Sequence, residues 1–269
     1  MKNIIVIPVY KKELSKWEEI SLRQCVKVLS AHPICLVTHG DLDCSFYNQI
    51  AEEYGLALLR EDFDVHYFKD LDSYNKLMIS KDFYERFKHY QYMLIYQLDA
   101  FVFRDELDEW CAKGYDYIGA PWFEEYSSYE QGAQLWKVGN GGFSLRNIQT
   151  SIKILTYFGP IWGLKYLWNS VANRDILHRC YFVFKSLLGW HNTIDYYVSE
   201  YVNQEDLFWC FEVQKLGFNY RMPSAEEAIA FSIERSPKYL YHLNNDILPF
   251  GCHAWYKYDY ESFWKQFIK

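Results

Sequence analysis

The sequence predicts an α/β fold: a mainly parallel, mixed sheet flanked by helices, with an aromatic-rich helical insertion. Three observations predict it. Over the first 120 residues, short apolar runs alternate with segments of helical periodicity, the pattern of a parallel sheet with crossover helices. The earliest runs are apolar at consecutive positions, as strands buried on both faces must be. At 269 residues, half of them hydrophobic, the chain is long enough for one good-sized core. Residues 1–269 therefore read as a single domain, with 152–201 as a helical insertion within it.

The elements follow in order. "NIIVIPVY" reads as a buried first strand ending near Pro8. Leu14, Trp17, Ile20, Gln24 and Val28 recur at helical spacing and predict a helix over 12–31. "PICLVTH" is a second strand, "CSFYNQIAEEYG" a helix closed by Gly55, and "LALLRE" a third strand. "SYNKLMISKDFYERFK" predicts one helix, "YMLIYQLD" a strand, "DELDEWCAKG" a short helix stopped at Gly114, and "YDYIGAP" a strand. The stretch 152–201 is dense in Trp, Tyr, Phe and Leu, with Lys153, Lys165, Arg174, Arg179 and Lys185 interspersed. "NQEDLFWCFEVQKLG" predicts a helix ending at Gly217, and "FNYRMPS" a strand. Ser224 and Glu227 form a capping box opening "AEEAIAFSIE". "PFGCHAWYKY" and a short amphipathic helix close the chain.

Composition excludes some functions. A net charge of −7 lacks the broad positive field of nucleic-acid binding. The seven cysteines are scattered without a C-x-x-C pair, so neither a structural zinc nor a disulfide framework is expected, and buried thiols of a reducing cytoplasm are. The apolar N-terminal run is too short for a signal peptide and is interrupted by Pro8. No stretch of about 18 apolar residues is present to span a bilayer.

Ligands of parallel sheets sit beyond the carboxyl ends of the strands, and Tyr10, His39 and Asp99 all fall near such ends. Four short constellations could carry chemistry there. Asp99 offers a carboxylate to a hard divalent cation, or simply caps the next turn. Gly139, Asn140, Gly141 and Gly142 allow a ligand close to bare backbone, or make a tight N-G hairpin. Glu205 and Asp206 lie in the first turn of a helix, where carboxylates are favoured electrostatically; either could also act as a general base. His253 is a metal ligand or an ordinary structural histidine. Trp122 and Trp255 are candidate platforms for sugar rings, and equally candidates for core.

The order and spacing of Asp99, Gly139–Gly142, Glu205–Asp206 and His253 resemble the glycosyltransferase-A fold, a Rossmann-like architecture. The strings "YDYIGAPW", "VGNGGFSLR" and "PFGCHAW" are similar to a bacterial family of small glycosyltransferase-like proteins whose domain has no assigned function. The resemblance implies transfer of a sugar from a nucleotide-diphosphate donor to an acceptor hydroxyl, with inversion, in bacterial surface polysaccharide or lipopolysaccharide synthesis. By that likeness Pro8, Val9 and Tyr10 border the nucleoside, Lys76 faces the diphosphate, and the glycine turn lies against donor or acceptor. Asp206, beside Glu205, is the base. Asp99-Ala100-Phe101 stands where the superfamily has Asp-x-Asp, so His253 is the best second ligand for Mn²⁺ or Mg²⁺. A metal-independent enzyme, and a catalytically inactive nucleotide-sugar or carbohydrate-binding protein of the same fold, remain as alternatives. The implied acceptor is a carbohydrate or a lipid-linked glycan. The implied location is the cytoplasm, at the inner face of the membrane if 152–201 makes a peripheral contact.

Overall fold

The computed structural model describes residues 2–126 and 128–269. β1 (Asn3–Pro8), α1 (Lys16–Val28), β2 (Ile34–His39), α2 (Ser45–Glu52) and β3 (Leu59–Phe63) alternate as expected. α1 is narrower than the periodicity suggested. It starts at a Ser15–Glu18 capping box, which satisfies the orphan amides of the first turn. The predicted long helix after β3 is two: α3 (Leu71–Met78) and α4 (Lys81–Arg86), divided where Ser80 caps the Phe83 amide. β4 (Tyr92–Tyr96), β5 (Phe101–Val102), α5 (Leu107–Ala112), β6 (Tyr117–Ile118), β7 (Pro121–Phe123), β8 (Leu135–Val138) and β9 (Phe143–Asn147) follow.

The main sheet has the order β3-β2-β1-β4-β9-β6. The first four strands run parallel and β9 is antiparallel to both its neighbours. β1 sends Ile5 and Ile7 into one apolar layer and Ile4 and Val6 into the other. That double burial explains its unbroken apolar sequence. The N-G hairpin reading fails, because β8 pairs with β7 and β9 with β4 and β6. Gly139–Gly142 thus carries the chain between two sheets.

α6 (Ile148–Leu155) leads into the aromatic segment, which holds α7 (Leu164–Ser170), α8 (Ile176–Leu187) and α9 (Ile194–Glu200). The next predicted helix is α10 (Glu205–Leu207), a π-turn over Phe208–Glu212, and α11 (Val213–Lys215). "FNYRMPS" is not a strand: Arg221 exchanges hydrogen bonds with Asp116 and no ladder extends from there. In α12 (Ala225–Phe231) Ser224 caps the Glu227 amide, but the Glu227 carboxylate turns to Lys113 and Tyr115. β10 (Ser232–Ile233), α13 (Pro237–Leu243) and β11 (Gly251–Cys252) complete the order. The expected terminal amphipathic helix is only a short 3₁₀ turn at Trp264–Gln266. No helix among the described residues is long and apolar enough to cross a membrane. Six cysteines are buried free thiols and Cys180 is exposed.

Candidate active site

A cleft of about 380 Å³ opens beyond the carboxyl ends of β1 and β4, where a parallel sheet presents its ligand site. Pro8, Val9 and Tyr10 line one side, Gln97, Leu98 and Asp99 the floor, and Tyr67 to Leu71 the rim before α3. Tyr256 and Lys257 enter from the C-terminal segment.

Strand register brings His253 up behind Asp99, outside the cleft lining. β11 pairs antiparallel with β5, Cys252 opposite Phe101, so the next residue falls beside Ala100 and Asp99. β10 pairs parallel with β11, Ile233 opposite Cys252, which sets Glu234 beside His253. The imidazole accordingly sits between two carboxylates: Nε2 is 3.0 Å from Asp99 Oδ1 and Nδ1 is 3.1 Å from Glu234 Oε1. The Nε2 contact is an ion pair off the line of a hydrogen bond. Burial alone would lower the imidazole pKa, but Asp99 and Glu234 outweigh it and push it up to about 10. Conversely, burial would raise the Asp99 carboxyl, yet His253 and Lys257 hold it well below the usual carboxylate range. Lys257 Nζ lies 2.6 Å from Asp99 Oδ2.

This donor set does not fit the expected Mn²⁺ or Mg²⁺. Both Asp99 oxygens face cations, and a protonated imidazole cannot ligate a metal. Among the described residues no group of three or more His, Cys, Asp or Glu side chains could hold an ion.

The glycine turn packs against the chain's own side chains. A Cβ on Gly142 would stand 1.9 Å from His253 Nε2, and one on Gly141 2.0 Å from Glu205 Oε1. Close approach, not special backbone angles, therefore demands those two glycines; in this turn it is Asn140 that has positive φ, +64°. The Asn140 side-chain oxygen Oδ1 accepts from the Gly142 amide, and its side-chain nitrogen lies 3.0 Å from His253 Nδ1. Gly139 to Gly142 stand behind the cleft rather than in its lining, and the space expected for ligand is filled by Trp122, Glu205 and His253.

On the far side of the turn, Arg146 is fully buried on β9 and donates to Glu205 Oε1 at 2.7 Å and to the Tyr84 hydroxyl at 3.2 Å. Glu205 is thereby committed as an internal counterion, which corrects its expected catalytic part. Asp206 keeps a partly exposed edge. It accepts from the Leu207 amide at 2.8 Å, and the Gly141 amide favours its charged form. Desolvation first, and the Glu205 charge second, push its carboxyl up to about 7.

Other expected residues lie elsewhere. Lys76 donates to the Val198 and Ser199 carbonyls and is absent from the cleft lining. Ala100 and Phe101 are buried with their side chains in the core. Trp255 is 0% exposed and offers no face to a sugar; its indole N–H donates to the Ala100 carbonyl. Trp122 is half-buried and stacks on Phe211, with centroids 6.0 Å apart. Lys257 and Glu234 were missed by sequence reasoning. The one signal for Lys257 was a lysine four residues past His253, and nothing local marked Glu234.

A second recess of about 480 Å³ shares Leu71 with the cleft and is lined by Asn75, Tyr126, Asn203, Gln204 and Leu207. Leu207 places it next to Asp206.

Among known proteins, the glycosyltransferase GlyE of Streptococcus pneumoniae TIGR4 is similar in structure at 16% identity, covering 94% of this chain and 54% of that one, with a TM-score of 0.46. The chain thus spans about half the length of that protein. A galactosyltransferase, LgtC, solved with donor and acceptor sugar analogues, is 14% identical over 93% of this chain and 86% of that one, with a TM-score of 0.45. Core-mannan synthase A from Aspergillus fumigatus, in its Mn/GDP form, is 8% identical over 77% and 71%, with a TM-score of 0.41. No curated protein matches the chain. A family model matches residues 58–253, a span that runs from just before β3 to His253 and takes in most of the chain, and the protein belongs to that family, described as Protein of unknown function (DUF5672).

Proposed function

We propose that the protein is a nucleotide-sugar-dependent glycosyltransferase that acts by direct, inverting displacement. One observation carries the reading: Asp99, the Gly139–Gly142 turn, Asp206 and His253, far apart in sequence, gather at one end of the sheet beside a cleft of about 380 Å³. The donor's nucleoside lies along Pro8 to Tyr10. Its diphosphate faces Lys257, with the protonated His253 behind Asp99, and Lys257 meets the charge that develops as the anomeric C–O bond breaks. The acceptor hydroxyl comes from the recess at Tyr126, Asn203 and Gln204, whose aromatic ring and amides suit a carbohydrate. Asp206 takes the hydroxyl proton as the new C–O bond forms. A carboxylate that titrates near 7 is matched to that task at neutral pH. Surface polysaccharide and lipid-linked glycans are the acceptor classes this reading favours, at the cytoplasmic face of a bacterial membrane.

The test pairs turnover with binding. The protein is incubated with a panel of nucleotide-sugars and glycan acceptors, and released nucleoside diphosphate is measured. Asp206→Asn should abolish release while the thermal shift given by the nucleoside diphosphate persists. Undiminished release by this variant would overturn the base; release by neither chain, with the thermal shift intact, would favour the binding-protein alternative.

A further inference from the structure

α8 is amphipathic the wrong way round for a helix with only this chain to cover it. Leu177, Tyr181, Phe184 and Leu188 recur at i, i+4, i+7 and i+11 and form one stripe. They are 77%, 61%, 61% and 73% exposed. The side of α8 turned to the protein instead carries the buried Val183 and Ser186. More than half of the large hydrophobic side chains exposed among the described residues fall between 157 and 202. A stripe this apolar calls for a cover.

Charge chooses the cover. The chain carries −7 overall, but residues 152–201 hold five basic side chains against three acidic ones, Asp175, Asp195 and Glu200. Asp175 is engaged by His178 and by the first-turn amides of α8. Lys185 lies over the rings of Tyr181 and Trp190, 5.1 Å and 4.7 Å from their centroids. Arg179 lies 4.0 Å over Trp168. Arg179 lies on the inward Val183–Ser186 side of α8 and donates to the Trp168 carbonyl; Lys185, lying along aromatic rings beside the apolar stripe, matches the boundary between acyl chains and anionic headgroups. The segment also ends against the second recess, which begins at Val202 and Asn203.

We infer that α8 lies in the interface of an anionic lipid bilayer through its Leu177–Tyr181–Phe184–Leu188 stripe, with Lys185 and the exposed Lys153, Lys165 and Arg174 facing lipid headgroups. The inference stands apart from the reading of the cleft and survives its failure.

Co-sedimentation of the full chain with phosphatidylcholine vesicles, with and without phosphatidylglycerol, tests it. Binding should be confined to the anionic vesicles and should weaken at high salt. Leu177→Glu/Phe184→Glu should abolish it with an unchanged melting temperature, since both side chains are solvent-exposed. Lys165→Ala should weaken it about fivefold, the scale of one basic residue near a charged surface. Equal binding to both vesicle types, or none, overturns the inference. So does a wild-type dimer by light scattering that the double substitution makes monomeric, because a second copy would then be the cover.

Discussion

The two sides of the Gly139–Gly142 turn hold charges in opposite ways. On the α10 side, Arg146 and Glu205 form a sealed pair, 0% and 4% exposed, and Asp206 makes no ion pair among the described residues. On the cleft side, Asp99, Glu234, His253 and Lys257 alternate in sign and end at Lys257, whose side chain is half exposed. The same turn therefore divides a structural ion pair from a set of charges whose outer members, Asp99 and Lys257, line the cleft. Burial fixes the first in one state. The second can exchange an internal partner for an external anion, because Lys257 need only swing off Asp99.

Breaking the sealed side should have the largest effect. Arg146→Leu strands Glu205 without its cation, and removing one partner of a buried pair costs about 3–5 kcal/mol. Arg146→Leu/Glu205→Leu removes both charges and should recover most of that loss. Urea midpoints of the two variants and the wild type check this. Equal destabilisation by the single and double substitutions would mean that the pair is not coupled as its 2.7 Å contact implies.

Asp206 gives the next largest effect, and its sign is opposite. Its carboxyl is raised to about 7 in the folded chain from about 3.9 when unfolded. Between those values the folded state holds a proton the unfolded state has lost, so this group makes stability fall as pH rises from 4 to 7, and the loss is constant above that. Asp206→Asn has no such slope. The variant should match the wild type near pH 4 and exceed it at pH 8 by about 4 kcal/mol. His253 also titrates, and its contribution is lost as pH rises toward 10, but it is common to both chains and cancels. Parallel pH profiles would break the contrast between an Asp206 that makes no ion pair among the described residues and a Glu205 that does.

Much of the fold was legible because β1 to β4 and the helices up to α5 carry local signals: consecutive apolar residues, helical spacing, stop glycines at 55 and 114; the capping box at Ser15 that sets the start of α1 was passed over. The cleft's position followed from parallel topology alone. The illegible parts are those decided by distant partners. Nothing local marks Arg146 at the end of "FSLR" as buried, yet β6 and α10 close over it. Trp255 reads as a sugar platform, yet Trp17 and Phe101 pack its edges. Glu234 is tied to His253 only through the register of β10 on β11. The break at Ser80 was readable as an N-cap, and helical periodicity across "ISKDF" hid it.

Gly142 joins the two sides, and its substitution should have a middling effect. Gly142→Ala places a methyl 1.9 Å from His253 Nε2, and overpacking of this kind costs about 1–3 kcal/mol. The ring must move away from Asp99 or Asn140, so nucleoside diphosphate binding should weaken along with stability. Gly40→Ala, where nothing lies within 4 Å of the added carbon, is the control. If titration calorimetry finds donor affinity unchanged in Gly142→Ala, the turn shapes only the core and not the cleft.

The smallest expected effect separates the cleft-side cluster from a metal site. A divalent cation at Asp99 would have to displace Lys257 from Oδ2 and strip the proton from an imidazole held between two carboxylates, and with His253 raised to about 10 that proton is costly to remove at pH 7. The thermal shift produced by a nucleoside diphosphate should therefore be the same in EDTA as with added Mn²⁺. Lys257→Ala removes the competing cation and leaves Asp99 with one open oxygen. It should weaken binding in EDTA about tenfold, the scale of one charge-assisted contact, and part of that loss should return when Mn²⁺ is supplied. A wild-type shift that needs Mn²⁺ would show that the alternating charges rearrange into a metal site once a diphosphate arrives. The two sides of the turn would then differ in adaptability as well as in exposure.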